Sequence, residues 1–89
     1  MSAAENFAQH HVLTFAASHT QAALQAVEDF LARSGAALAG LRMRSVGEIV
    51  ETTLQIQDLS DASAEAAGER LANRAGVSAL RVEHVRPLK

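Results

Sequence analysis

Hydrophobic and polar residues alternate along four short segments of the chain, a pattern typical of β-strands that bury one face. The four segments are residues 10–17, 36–45, 49–58 and 77–85. In the third, every second residue from Val50 onward is apolar or β-branched, and Glu, Thr and Gln stand between them. In the first, the odd positions carry the large side chains, so we expect them to face the core.

Two other segments repeat apolar residues every three or four positions, the spacing of a helix with one buried face. The first follows a turn at residues 18–20, where Ser18 or Thr20 is expected to cap it. Gly35 is expected to end it, because only glycine adopts the left-handed conformation without strain. Its predicted buried stripe is Ala23, Leu24, Val27, Phe30 and Leu31.

The second helix is expected to begin at Ser60 or Asp61 and to run to about Ala75, with Gly76 ending it. Gly68 costs about 1 kcal/mol relative to alanine inside a helix, so we interpret it as a point of close approach. The predicted inward stripe is Ala64, Ala67, Gly68, Leu71 and Ala75.

The element order is therefore βαββαβ, and right-handed crossovers leave few topologies for it. We predict an α+β ferredoxin-like fold: a four-stranded antiparallel sheet in the order 4-1-3-2, with both helices on one face. Eighty-nine residues are enough for one domain. We place that domain at residues 10–89 and expect residues 1–9 to form a flexible tail.

Composition narrows the possible functions. The formal net charge is −2 and there is no cysteine, so nothing favours nucleic acid, an anionic membrane, a disulfide or a thiolate site. Residues 7–27 lack acidic and basic side chains, but histidines and glutamines interrupt the run, so no membrane span is predicted. The uncovered sheet face lacks the aromatic residues on which RNA bases stack. We expect a cytoplasmic protein without a cofactor.

The second strand is predicted to form an edge of the sheet. Its beginning has no charge, lysine or proline before Arg42 to discourage pairing with another strand. Either its small residues protect this edge, or it pairs with its own copy to give a continuous eight-stranded sheet. The residues that we expect at such a dimer edge are Leu38, Gly40 and Arg42.

Four histidines raise the question of a metal site. His10 and His11 point to opposite faces of one strand, whereas His11 and His84 lie on the same face of neighbouring strands. A third ligand is not evident for this pair, so we expect partly exposed histidines at strand ends and no metal. His19 is open to three interpretations: a base beside a hydroxyl, an anion contact at a helix N-terminus, or a helix cap.

The segment LQAVEDFLARSGAALAGLRMRS, residues 24–45, resembles the first helix and second strand of ACT domains. The segment AGVSALRV, residues 75–82, is similar to the start of their last strand. Single copies of this size resemble the small regulatory subunit of acetolactate synthase and the ACT-like tail of MgtC/SapB-type membrane proteins. The resemblance spans roughly residues 10–85.

ACT domains bind an amino acid or similar effector between two side-by-side subunits. The resemblance therefore implies ligand contacts from the loop after the first strand and from the glycine turn before the second. These positions are Ser18, His19, Thr20, Gly35, Ala36 and Ala37.

Three functions remain open at this point. The first is a non-enzymatic regulatory homodimer that binds an amino-acid-like effector and controls a larger biosynthetic enzyme. The second is a protein–protein interaction domain of the same fold without a small-molecule ligand. The third is a small enzyme or metal carrier, although no catalytic constellation is visible.

Overall fold

The computed structural model describes residues 10–85. The strands form one antiparallel sheet in the order β2-β3-β1-β4, which is the predicted order read from the other edge. Both helices pack on the same face and share one core with it, so the ferredoxin-like fold is confirmed. The predicted tail, residues 1–9, lies outside the described residues. The elements in chain order are β1 (His10–Ala17), α1 (Thr20–Ser34), β2 (Ala37–Val46), β3 (Ile49–Gln57), α2 (Asp61–Ala72) and β4 (Val77–Val85).

The core follows the alternation of the two central strands. The odd positions of β1 from His11 to Ala17 are buried, as are the even positions of β3 from Val50 to Ile56. The helices add mainly small side chains, so their backbones lie close to the sheet. Gly68 shows this most clearly, because a Cβ atom placed there would lie 2.9 Å from Cγ2 of Val82.

Helix α1 ends where the sequence predicted, but its buried face differs from the predicted one at Leu24. Gly35 adopts a left-handed conformation with φ 75°, and its backbone N–H donates to the carbonyl of Leu31. The buried residues are Ala23, Ala26, Val27 and Phe30. The prediction for Leu24 is wrong: it lies about 100° around the helix from Ala23 and is 42% exposed.

Helix α2 is shorter than predicted. Ser60 caps it, because its hydroxyl oxygen accepts from the backbone N–H of Ser63. The helix ends at Ala72 and is followed by a turn whose last residue, Gly76, has φ 85°. Gly76 therefore forms the turn into β4 and does not end the helix, and Ala75 lies outside the buried stripe.

Strand β2 contains a register shift between Leu38 and Gly40. The extra residue of a bulge reverses which face the following side chains occupy. Leu38, before the bulge, pairs with Ile56, and Leu41, after it, pairs with Leu54, so both lie on the helix-facing side. The predicted alternation, which placed Leu38 and Leu41 on opposite faces, is wrong at this point.

Candidate functional site

The loop after β1 is built around the start of α1. His19 is the N-cap, because its extended backbone precedes the helix and its Nδ1 accepts from the N–H of Ala22 at 3.2 Å. The expectation that Ser18 or Thr20 caps the helix is therefore wrong. The N–H of Ser18 donates to the carbonyl of Gly76 at 3.1 Å. This bond joins the loop to the turn before β4.

The second predicted group, Gly35 to Ala37, lies at the opposite end of the sheet. Ala37 pairs with Gln57, which pairs with His10 at the start of β1. Ser18, by contrast, follows the end of β1. Helix α1 separates the two groups by about 22 Å, given its 15 residues. A single subunit therefore does not bring the two predicted groups of ligand contacts together.

The edge strand β2 extends beyond the cover of the helices. Leu38 is 50% exposed and Leu41 is 39% exposed, although both lie on the helix-facing side. Leu24 and Leu31 lie on the side of α1 opposite the groove that α1 forms with α2. We call the apolar surface along this side of the molecule the apolar border, and it consists of Leu24, Leu31, Leu38, Leu41 and Met43.

The uncovered face of the sheet carries charges of both signs. Arg44 donates to Glu51 across the β2–β3 pair at 3.0 Å. Arg42 and Arg81 flank two central threonines on the same face. The phenylalanine side chains within residues 10–85, Phe15 and Phe30, are buried, so neither can stack on a base from this face.

A groove between the helices is a feature that the sequence did not single out. Asp29 accepts from Arg33 at 3.0 Å and lies 3.4 Å from Arg74. These exposed ion pairs link α1 to the turn after α2, and such pairs contribute little to stability. Arg70 also lines the groove.

The fold brings His11 and His84 together at the start of β1. The two residues are partners in the β1–β4 register, and their rings pack edge to face with centroids 5.0 Å apart. His11 has 0% exposure, so the expectation of a partly exposed strand-end histidine is wrong for it. Asp61, in the first turn of α2, lies beside both rings.

Asp61 is the residue that sequence reasoning missed here. A usable signal was present, because α2 begins directly after β3, and the end of β3 pairs with the start of β1. The first turn of α2 must therefore lie near His11, and Asp61 is the acidic residue in that turn.

Comparison with solved structures places this fold among known ones. The C-terminal domain of the MgtC protein from Mycobacterium tuberculosis has a TM-score of 0.72 and 14% identity, over 89% of each chain. An ACT domain protein from Streptococcus pneumoniae has a TM-score of 0.67 and 11% identity, over 86% of this chain and 90% of that one. The chain has an ACT-like fold.

The ACT-like fold also matches part of a larger enzyme. A homoserine dehydrogenase from Thiobacillus denitrificans has a TM-score of 0.69 and 18% identity, over 92% of this chain and 18% of the enzyme. No protein-family model matches the sequence, and no curated protein matches it significantly. Within residues 10–85, neither helix is long and apolar enough to cross a membrane.

Proposed function

We propose that this chain is a small non-enzymatic regulatory module of the cytoplasm. It forms a homodimer through β2, binds an amino acid or similar small effector at the dimer interface, and controls a partner enzyme of amino-acid metabolism. The observation that carries the proposal is the apolar border, which combines an unprotected strand edge with the exposed Leu24 and the partly buried Leu31 on the adjacent helix.

The border suits a second copy of the same chain. Antiparallel pairing of two β2 edges satisfies the outward backbone groups of both strands and gives an eight-stranded sheet. The same two-fold arrangement brings Leu24 and Leu31 of each subunit toward the other subunit. Burying apolar side chains of this kind contributes about 25 cal/mol per Å² of area removed from water.

Such a dimer would also bring the two predicted groups of ligand contacts to the same end of the sheet, one group from each subunit. Within one subunit, Ser18 to Thr20 and Gly35 to Ala37 lie at opposite ends of the sheet. Antiparallel pairing reverses one subunit relative to the other, so the first group of one subunit lies at the same end as the second group of its partner. An effector at this end would contact both subunits.

The link to amino-acid metabolism rests on the fold and on the enzymes that contain it. A homoserine dehydrogenase and a formyltetrahydrofolate deformylase from Pseudomonas putida both include a region of this fold, which matches 18% and 28% of their chains. The first is named for an amino-acid substrate. A domain of this fold therefore suits a role in the control of an enzyme.

Replacing Leu38 by glutamate tests the dimer. We expect wild-type protein to sediment as a dimer at micromolar concentration, and Leu38→Glu to sediment as a monomer, because the new charge is buried in the interface. Val85→Glu is the matched control, since Val85 is 41% exposed on the opposite edge strand, and it should remain a dimer. A monomeric wild type, or equal effects of the two substitutions, would contradict the proposal.

Isothermal titration of the dimer with each common amino acid tests the effector. We expect one of them to bind at two equivalent sites per dimer, one at each end of the interface, and the monomeric Leu38→Glu variant to lose that binding. A wild-type dimer that binds none of them would reject the effector while leaving the dimer intact.

One observation favours the second candidate, an interaction domain without a small ligand. The loop after β1 and the first turn of α1 already use two amides inside the protein, the N–H of Ser18 and the N–H of Ala22. Fewer amides therefore remain to bind a carboxylate. Copurification of a larger partner with wild type but not with Leu38→Glu, together with no amino-acid binding, would support this candidate.

A further inference from the structure

The hydrogen bonds around His11 and His84 fix which ring nitrogen carries the proton. The carbonyl oxygen of Leu59 only accepts, so Nε2–H of His11 donates to it at 2.6 Å. The carboxylate of Glu65 likewise accepts from Nε2–H of His84 at 2.7 Å. A neutral ring that donates from Nε2 in this way carries its lone pair on Nδ1.

These two lone pairs face each other. The Nδ1 atoms of His11 and His84 are 2.9 Å apart, and Oδ1 of Asp61 lies 3.9 Å from the first and 3.6 Å from the second. Two lone pairs and a carboxylate oxygen repel one another at such distances. A positive charge among the three atoms removes this repulsion, and it can be a shared proton or a metal ion.

We propose that His11, Asp61 and His84 bind a divalent first-row transition metal ion, with Zn²⁺ as the ion that fits them best. The three ligand atoms all lie within 4.8 Å of one another. A shared proton would lie between the two nitrogens only, with Asp61 as a nearby counter-ion, whereas a metal ion is bound directly by all three groups. Two imidazoles and one carboxylate are typical ligands of such ions.

The distances between the ligand atoms fit an ion of this size. Ligand atoms about 2.0–2.2 Å from a tetrahedral ion lie about 3.3–3.6 Å from each other. The observed separations of 2.9, 3.6 and 3.9 Å lie on both sides of that value. Side-chain movements of about half an ångström therefore complete the site, and solvent supplies the fourth ligand.

The groups behind the ligands also match a metal site. Histidines that bind metals usually donate their other ring N–H to a carboxylate or a backbone carbonyl, which orients the ring. Here His84 donates to the carboxylate of Glu65, and His11 donates to the backbone carbonyl of Leu59. His11 is buried, while the side chains of His84 and Asp61 are 25% and 37% exposed, so an ion can enter from the side of α2.

The bound ion would connect three elements, β1, β4 and the first turn of α2. It lies away from the apolar border, so it does not depend on the proposed dimer or effector. Its expected effect is structural: Zn²⁺ raises the Tm, because it binds the folded chain more tightly than the unfolded one.

Titration of the untagged full chain with Zn²⁺ against a competing chromophoric chelator tests the proposal. We expect one Zn²⁺ per chain and a visible Co²⁺ spectrum of a four- or five-coordinate ion. His84→Gln and Asp61→Asn should weaken binding about 100-fold or more. Glu65→Gln removes only the partner of a ligand and should weaken binding about 10- to 100-fold.

His10→Gln and His19→Gln are the matched controls, because each removes a histidine outside the cluster, and they should bind Zn²⁺ like wild type. Far-UV circular dichroism checks that each variant folds, and Asp61 and Glu65 are exposed enough for substitution without loss of the core. Absence of binding to wild type, equal weakening in the controls, or unchanged binding in both His84→Gln and Asp61→Asn would overturn the proposal. So would histidine ring resonances that show a shared proton and do not respond to Zn²⁺.

Discussion

Thr52 carries a buried hydroxyl that makes no hydrogen bond to any of the described residues. Its side chain lies on the helix-facing side of β3, between Phe15 and Met43 in the sheet register. A buried hydroxyl without a partner costs about 1–3 kcal/mol. The position is therefore occupied by a residue of the right shape with an unfavourable polar atom.

Replacing Thr52 by valine keeps the shape and removes that atom. We expect Thr52→Val to raise the free energy of unfolding by about 1 kcal/mol or more, measured by urea denaturation. Thr53→Val, on the open face of the same strand, is the control and should change stability by less than about 0.5 kcal/mol. A lower stability for Thr52→Val would show that the hydroxyl has a partner.

Local signals in the sequence were sufficient to predict the conformation or role of some residues but not of others. Gly35 was predictable because its left-handed conformation depends only on its place after the helix. The cap of α1 was predicted only in part: Ser18 or Thr20 was expected because hydroxyl groups are preferred caps, while a cap was one of three interpretations left open for His19. The contact of Asp61 with His11 and His84 could be recognised only once the fold was known, because Asp61 is far from both histidines in the sequence.

At the scale of the element, Gly68 shows that helix propensity and packing oppose each other. Alanine at this position would favour α2 by about 1 kcal/mol. Its Cβ atom, however, would lie 2.9 Å from Cγ2 of Val82 and 3.5 Å from Cδ2 of Leu80. Valine has few alternative rotamers, so the sheet or the helix must move.

We therefore expect Gly68→Ala to lower the free energy of unfolding by about 1–2 kcal/mol, measured by thermal and chemical denaturation. In a Val82→Ala background the clash is absent, and the same substitution should be neutral or stabilising. The difference between the two backgrounds is the coupling energy of the pair. Equal effects in both backgrounds would contradict close packing of α2 on β4.

The alternation along β1 and β3 predicted their buried faces correctly, because both strands are central and regular. It failed in β2, where the register shifts between Leu38 and Gly40. A glycine inside a strand often marks a bulge, but strict alternation takes no account of that signal. The end of α2 was also misplaced. Gly76 has the left-handed conformation expected of it, but it serves the turn into β4.

At the scale of the whole molecule, the sheet order followed from element order and the handedness of crossovers. The oligomeric state depends on contacts with a second copy, so the structure of one chain identifies only the surface that would form the dimer interface. That surface became clear from the structure, because the exposure of Leu24 and Leu41 reflects how far α1 covers β2.

If the dimer forms, stability depends on protein concentration. A 100-fold increase in concentration should stabilise the dimer by about 2.7 kcal/mol and raise the Tm by roughly 5–10 °C. Differential scanning calorimetry over that range measures the shift. The Tm of Leu38→Glu should not change with concentration, and a wild type with an equally constant Tm would contradict dimerisation.

The spacing of the two arginines on the open face of β2 limits how two such strands can align. A two-fold axis through Met43 would set Arg42 of one subunit against Arg44 of the other, and like charges in that position repel. An axis through Leu41 instead sets Arg42 against Gly40 and Leu41 against its own copy. Electrostatic repulsion thus disfavours the alignment centred on Met43 relative to the one centred on Leu41, and cross-linking of cysteines introduced in place of Leu41 would detect the latter.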